Sequence, residues 1–359
     1  MTYKSQPITV FDCGGRGGLH ASWEHFPAPL NYYSFEPEPD EFESLQKSAK
    51  SDSETGNRYT VLNVALSETS GQRPFNVSKN RAGSSFYVNN PDGCYRFKDT
   101  YVERTVTVEC RSLTDLVSEL EVAPDFITVD VEGTGLELLR GGTTPLRNSC
   151  LGVRLEVELA EIYKGAPLFD DSFRFMREAG YFLSRIETCN AGFYGVTTDM
   201  NRYSVSPMDA MPLTADFIFI NNRLVAERLL DAPNIDLTRR LATLVVYCIH
   251  NGCGYLGMDI VEMTKATNHW NNFLDAENLP ESRKMLETVA TYLAIPRFNI
   301  NKGFDGKSVF QELFGLNIDD YAATHDPAAR DKVNLIYNDK ELFQRFIEPT
   351  QHYAFVNFN

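Results

Sequence analysis

No Cys-x-x-Cys pair occurs among the seven cysteines, which are odd in number and scattered. That speaks against a zinc site and a disulfide framework, and for a reducing compartment. No Lys/Arg-rich run is present either, and 34 basic residues face 49 acidic ones, for a net charge of −15. So acidic a chain is a poor grip on a phosphate backbone, and nucleic acid is not expected as a partner. The longest apolar run, Leu244 to Ile249, is far short of a membrane span. The first strand is reached by Ile8, which leaves no room for a signal peptide, so a soluble cytoplasmic protein is expected. Two nucleotide motifs are also missing. Read from Gly15 and Gly17, G-x-G-x-x-G fails at His20; read from Gly14, it fails at Arg16; and no Lys follows the glycines to make a P-loop.

What is present is a glycine-rich turn behind a short β-like segment. Ile8, Thr9, Val10 and Phe11 run into Asp12, and Gly14, Gly15, Gly17 and Gly18 follow. Glycines allow positive φ and let a ligand approach the chain closely. A helix starting near Leu19 would aim free N–H groups into that space. The stretch reads as the first βα turn of an open α/β sheet, where ligands bind at the carboxyl ends of strands. An acid at the strand end, a glycine loop and Glu36 at the end of a second strand form the pattern of an S-adenosylmethionine (SAM) site. A carboxylate accepts two hydrogen bonds, which suits the paired hydroxyls of a ribose, and Glu36 is assigned that role. The plainer alternative is a glycine turn with no ligand.

The chain then alternates. Ala21 to Phe26 is expected as a helix and Tyr32 to Glu36 as a strand ended by Pro37. Asp40 reads as an N-cap with Glu43 three residues on, with Phe42 and Leu45 facing the sheet. Tyr59 to Leu66 reads as one strand. From Arg73 to Cys110 come short β-like pieces, the RAGSSFY stretch Arg81 to Tyr87, and the aromatics Phe86, Tyr87, Tyr95, Phe97 and Tyr101. This region is either a surface β-insert or a lid over cofactor or substrate. Ser112 with Asp115 marks a helix start, and Asp125 to Val131 carries the continuous apolar stretch of a buried parallel strand. A short helix Gly135 to Arg140, a strand Leu151 to Val157, a helix Ser172 to Ala179 and a strand from Tyr181 follow. A loop of roughly thirty residues, with Phe193, Tyr194 and Tyr203, leads to the last strand, Asp216 to Ile220.

The pieces FDCGGRGG, SFEPEPDEFESL, VLNVALSETSG, the SS of RAGSSF, SLTDL, DFITVDVEGTGLELLRGG and LEVE, in this order over residues 8 to 221, resemble the FkbM family of SAM-dependent methyltransferases. The resemblance implies a class I methyltransferase (Rossmann-like) α/β fold: a seven-stranded, mostly parallel sheet of order 3-2-1-4-5-7-6 with the last strand antiparallel. It also implies O-methylation of a hydroxyl on a sugar, glycan or polyketide-like natural product. One departure stands out. The family usually has Ala-Asn where this chain has Gly15-Arg16, and an Arg beside a sulfonium cation is unfavourable. Arg16 would point at the methionine carboxylate or away into solvent.

Asp12, Gly14, Gly15, Gly17, Glu36, Pro37, Ala65, Leu66, Ser67 and Ser85 are the expected cofactor residues. Asp12 would order the glycine loop or hold the amino end of methionine. Ala65 to Ser67 would meet the adenine edge, and the pair Ser84-Ser85 would touch cofactor or substrate, or form a plain turn. Asp130, Glu132, Glu156 and Glu158 end two neighbouring strands, each pair two residues apart and so on one side. They are the candidate catalytic groups. One of them would take the hydroxyl proton, or several together would hold Mg²⁺ against the substrate oxygen. Capping a helix or pairing with Arg140 or Arg154 is the structural alternative. Asp130, at the end of the buried run, is the first choice, and His20 is the rival base.

From about Asn222 the pattern turns helical, over Thr238 to His250, Glu281 to Ile295 and Lys307 to Gly315, with Leu241, Leu244, Val245 and Cys248 as one stripe. The expected organisation is a methyltransferase domain at residues 1–221 and a helical domain at 222–359 that packs on the sheet, closes the substrate side or forms a homodimer. The rival readings are a methyltransferase-like binding module without activity and a nicotinamide-dependent oxidoreductase.

Overall fold

In the computed structural model, residues 7–24, 26, 28–49, 57–90, 101–192, 211–222 and 235–265 are described, with isolated positions 285, 288, 289 and 311. The chain divides into two compact units: Pro7–Glu24 with Pro29–Leu224, and Val225–Asn359 with Met1–Gln6 and His25–Ala28.

The first unit is built on a seven-stranded sheet. Its strands are β1 (Ile8–Cys13), β2 (Leu30–Phe35), β3 (Arg58–Leu62), β7 (Phe126–Val129), β8 (Gly152–Glu158), β9 (Tyr181–Gly192) and β10 (Met211–Asn221). Their order is β3-β2-β1-β7-β8-β10-β9. Counting only the strands of this sheet, that is 3-2-1-4-5-7-6, the expected order. Strand β10 runs antiparallel to both neighbours, and the other pairings are parallel.

Alternation along the strands separates two faces. Phe11, Ile127, Val129, Val153, Leu155 and Phe219 join one core with Leu113 and Leu116 of α2 (Leu113–Leu120), Leu138 and Leu139 of α3 (Gly135–Arg140), Leu146 of α4 (Thr143–Asn148) and Met176 of α5 (Phe169–Glu178). The intervening positions, among them Asp12, Thr128, Arg154, Glu156 and Glu158, point the other way. The first face is apolar throughout, whereas the second sets these polar and charged groups beside buried Val10, Tyr32, Phe126 and Ile218.

Several local expectations need correction. Ala21 to Phe26 makes only a short 3-10 turn, Ala21–Trp23, with His20 capping it through its ring nitrogen. The helix α1 (Pro39–Ala49) starts one residue before Asp40. Its cap is Glu38, whose carboxylate accepts from the Glu41 amide at 2.9 Å while its carbonyl accepts from the Phe42 amide. Proline suits the first helical position because the missing N–H has no partner there anyway. Ser112 does cap α2, accepting from the Asp115 amide at 3.1 Å.

Tyr59 to Leu66 is not one strand. The chain leaves the main sheet after Leu62, and Asn63 turns its side-chain amide to the Glu36 and Pro37 carbonyls. The chain re-enters as β4 (Ala65–Ser67) of a second sheet, ordered β4-β6-β5 with β5 (Gly71–Ser78) and β6 (Val102–Ser112). This is the β-insert; Tyr95 and Phe97 lie outside the described residues. The expected thirty-residue loop shrinks because β9 and β10 are longer than their apolar cores suggested; Phe193, Tyr194 and Tyr203 also fall outside the described residues.

In the second unit, α6 (Ile235–His250) and α7 (Gly254–Lys265) form a helical hairpin. Leu241, Leu244, Val245 and Cys248 are buried as the stripe implied, but Ala242, Val246 and Tyr247 are buried as well, so α6 is covered on nearly all sides. Apart from isolated positions, the segments Glu281 to Ile295 and Lys307 to Gly315 lie outside the described residues.

Candidate active site

The glycine loop closes onto the ends of three strands. Gly14 has φ +92°, and a Cβ there would fall 1.7 Å from the Asp130 carbonyl oxygen. At Gly15 a Cβ would fall 1.7 Å from Ser34 Oγ. These two glycines therefore serve chain-to-chain approach as much as ligand approach. Gly17 (φ +83°) and Gly18 (φ +96°) have open space around them and are required by backbone conformation alone.

Beneath the loop lies Asp12, 3 % exposed. The Tyr32 hydroxyl donates to it and accepts from the His20 amide at 3.1 Å. Asp12 thus ties the two ends of the loop together, the ordering role among its two expected ones. Burial pushes its pKa up to about 7, against the help of the Tyr32 hydrogen bond.

A cleft of about 270 Å³ opens beside the loop. Gly14, Glu36, Pro37, Ala65 and Leu66 line it, together with Asp130 and Glu132. Phe35, Phe75 and Phe86 supply apolar wall, and the insert contributes Arg81, Ala82 and Ser84. Two expected contacts lie behind the wall. Ser67 is 2 % exposed and accepts from Arg73 at 2.7 Å. Ser85 donates its hydroxyl to the Glu132 carbonyl.

Glu36 Oε1 accepts from the Glu38 amide at 2.8 Å. Burial pushes the Glu36 pKa up to about 7, with that amide and the nearby Arg16 opposing. Arg16 is turned toward α1. It pairs with Glu41 of α1 at 3.0 Å while still lining the cleft, and the same carboxylate accepts from the Gly17 amide.

On the other side stand the strand-end acids. Asp130, Glu132 and Glu156 each bring a carboxylate oxygen within 4.8 Å of the others. Burial raises Glu156 far above the usual carboxylate range, and Asp130 and Glu132 add to the effect. The pair Glu156–Asp130 shares a hydrogen bond, which favours a protonated Glu156 donating to Asp130. Asp130 is surrounded by protein, which raises its pKa. The Glu156 hydrogen bond and the Arg154 charge oppose that rise, so Asp130 gives up its proton more readily than Glu156 does. Glu132 is raised chiefly by burial and next by Asp130, while the Tyr163 hydroxyl donates to it at 2.5 Å. Glu158, raised to about 7 by burial, is turned aside to accept from the Gly133 amide and stands outside the triplet. Arg154 pairs with Glu187 and Asp216, and its charge also favours ionisation of Asp130.

Glu132 has φ +49°, a left-handed conformation that is rare outside glycine. Strain of that kind persists only where the surroundings hold it. Here Tyr163 grips its carboxylate, Ser85 grips its carbonyl, and Gly133 lies against the Tyr163 ring. Nothing in the sequence around Tyr163 signalled this contact. His20, the rival base, does not line the cleft among the described residues, and burial drives its pKa down to about 4.

Residues 12–183 match the family described as "Methyltransferase FkbM domain". The chain is 32 % identical over 140 residues to the hexuronic acid methyltransferase AglP of Haloferax volcanii, a match covering 39 % of this chain and 52 % of that protein. It therefore spans about half the length of this curated relative. Among solved structures it is similar to the methyltransferase FkbM of Methylobacillus flagellatus, with a TM-score of 0.33 and 16 % identity, covering 59 % of this chain and 43 % of that one. The magnesium protoporphyrin IX methyltransferase of Synechocystis PCC 6803 with bound SAM also aligns, with a TM-score of 0.33 and 10 % identity, covering 60 % of this chain and 70 % of that one.

Proposed function

We propose that this chain, which carries a FkbM methyltransferase domain at residues 12–183, is a SAM-dependent O-methyltransferase whose acceptor is a hydroxyl of a sugar, glycan or polyketide-like product. We read residues 1–221 as the catalytic domain and 222–359 as a helical domain. The observation that carries the reading is one cleft that holds Gly14 and Glu36 together with Asp130 and Glu132. A ribose acceptor and a proton acceptor thus open onto the same space. The carbohydrate in the relative's name favours a glycan acceptor.

The residues fit the cofactor. Glu36 has one oxygen oriented by the Glu38 amide, Gly14 keeps the floor free of side chain, and Ala65, Leu66 and Phe86 offer an apolar slot for a flat base. When bound, SAM supplies an electrophilic methyl group on a sulfonium. An alcohol, with a pKa near that of water at about 15.7, must lose its proton as the new O–C bond forms and the C–S bond breaks. Asp130, ionised and open to the cleft, accepts that proton. Glu156 steadies Asp130 with a hydrogen bond, and Tyr163 holds Glu132 in place. Such general-base help is typically worth about 10²–10⁴-fold in rate.

The closeness of Asp130, Glu132 and Glu156 supports a second reading, in which they hold Mg²⁺ at the acceptor oxygen. Chelation separates the two: a base survives it, whereas a metal-dependent enzyme loses turnover and regains it with added Mg²⁺.

Titration calorimetry with SAM and with NAD tests the cofactor. SAM is expected to bind and NAD is not. Glu36→Ala is expected to weaken SAM binding by about 1.5–3 kcal/mol, roughly ten- to a hundred-fold. Unchanged affinity would sink the ribose assignment. SAM binding without methyl transfer to any acceptor in a broad glycoside panel would favour a binding module instead.

A further inference from the structure

Arg104 stands on β6 of the insert, and the reaction outlined above makes no use of it. Its guanidinium meets Glu38 Oε1 and Asp40 Oδ2, each at 2.5 Å. Asp40 is largely exposed, but the Glu38 side chain is only 3 % exposed. The two contacts are therefore unequal. An exposed ion pair contributes little, whereas a buried carboxylate stripped of its cation is costly. Glu38 needs Arg104 in a way that Asp40 does not.

Glu38 is also the residue that orients Glu36. Its side chain faces Arg104, while its backbone N–H donates to Glu36 Oε1 at 2.8 Å. Its charge additionally opposes ionisation of Glu36. The same insert sends Arg81, Ala82, Ser84 and Phe86 into the cleft that Glu36, Pro37 and Glu38 line. Arg104 therefore fastens the insert, which forms one wall, to the turn that carries the ribose acceptor in the other.

We propose that Arg104 is a positioning residue for the cofactor, acting through Glu38 on Glu36. It compensates the buried Glu38 charge, so that Glu36 can carry its own, and it fixes the turn whose amide aims the Glu36 carboxylate. The inference rests on the reading of Glu36 as the ribose acceptor of SAM.

The test is calorimetric titration of the full chain with SAM, arranged as a double-mutant cycle. Arg104→Ala is expected to raise the SAM dissociation constant about fivefold or more, and in a Glu36→Ala background to add less than about twofold. Arg104→Lys keeps a cation but not the guanidinium Nη2 that makes both contacts, and is expected to fall between wild type and Ala. Because Arg104→Ala leaves the buried Glu38 without its cation, its thermal midpoint is expected to fall as well, and the dependence of the binding loss on Glu36 is what separates positioning from general loosening. A wild-type chain that does not bind SAM overturns the functional reading and this inference with it. Wild-type binding with an unchanged Arg104→Ala overturns the inference alone. An equal loss in both backgrounds does so too, because a general loosening of the insert would not depend on Glu36.

Discussion

At the scale of single residues, Gly14 and Gly15 of the loop answer to chain packing before any ligand. Gly14 was expected to clear room for a ligand, and it does line the cleft, but a side chain there would first strike the Asp130 carbonyl. Gly14→Ala combines a positive φ with a 1.7 Å collision against backbone that cannot swing away. It should lower the thermal midpoint and weaken SAM binding together, as measured by scanning calorimetry and titration. Gly17→Ala has no such collision, so it should cost only about 1 kcal/mol of backbone preference. Equal destabilisation by the two would contradict the packing account. Asp130→Asn, by contrast, should leave the cofactor bound and remove most turnover with a true acceptor. If it and Glu132→Gln, Glu156→Gln and Glu158→Gln all keep near-full rates, the proton acceptor lies elsewhere. Glu36, Asp130, Glu132 and Glu156 could be singled out because carboxylates at strand ends recur at readable spacings, a pattern that could not show that Glu158 turns aside. Tyr163, Glu41 and Arg104 could not be, because each meets its partner across a long stretch of chain and nothing local marks the contact.

At the scale of elements, the strands of the main sheet were legible and their ends were not. The run in β7 and the alternation in β8 follow from burial, which the sequence records directly. The split at Asn63 left no hydrophobic signature, since Tyr59 to Leu62 and Ala65 to Leu66 are equally β-like. Only the capture of Asn63 by the Glu36 and Pro37 carbonyls breaks the run. Likewise, the cap of α1 went to Glu38 because its side chain is held in place by Arg104, a partner from another sheet. In the helical unit, α7 carried no clear stripe, and Gly257 explains part of the reason. A Cβ there would lie 3.1 Å from Ile249 Cγ1 and 3.2 Å from the Val245 carbonyl, so the two helices meet through a small residue where a stripe would need a large one. Gly257→Val should therefore destabilise the α6–α7 hairpin by about 1–3 kcal/mol. The check is chemical denaturation followed by circular dichroism at 222 nm; an unchanged transition would show that the hairpin can open to admit the side chain.

At the scale of the molecule, acids packed onto one face make stability depend on pH, and the sign can be worked out. Asp12, Glu36 and Glu158 have pKa values raised to about 7, and Asp130, Glu132 and Glu156 are raised as well, all chiefly by burial. A carboxyl whose folded pKa exceeds its unfolded one binds more protons when folded. Its contribution is full below the unfolded value, near 4, and is lost as pH rises through the folded value. His20 acts in the opposite sense. Its pKa falls to about 4, so its contribution is present above the unfolded value near 6.5 and is lost as pH falls toward 4. One histidine is set against six carboxyls, so the acids decide the slope. Without SAM and in the presence of a chelator, the thermal midpoint should fall by about 5 °C or more between pH 5 and pH 8. Glu156→Gln isolates the strongest contributor, because an amide keeps a donor toward Asp130 but has no proton to lose. The variant should match wild type at pH 5 and exceed it at pH 8. A midpoint that climbs over this range, or a variant that is no better at pH 8, would mean that these acids are already ionised in the free protein. In that case a bound cation in their midst becomes the better account of their closeness.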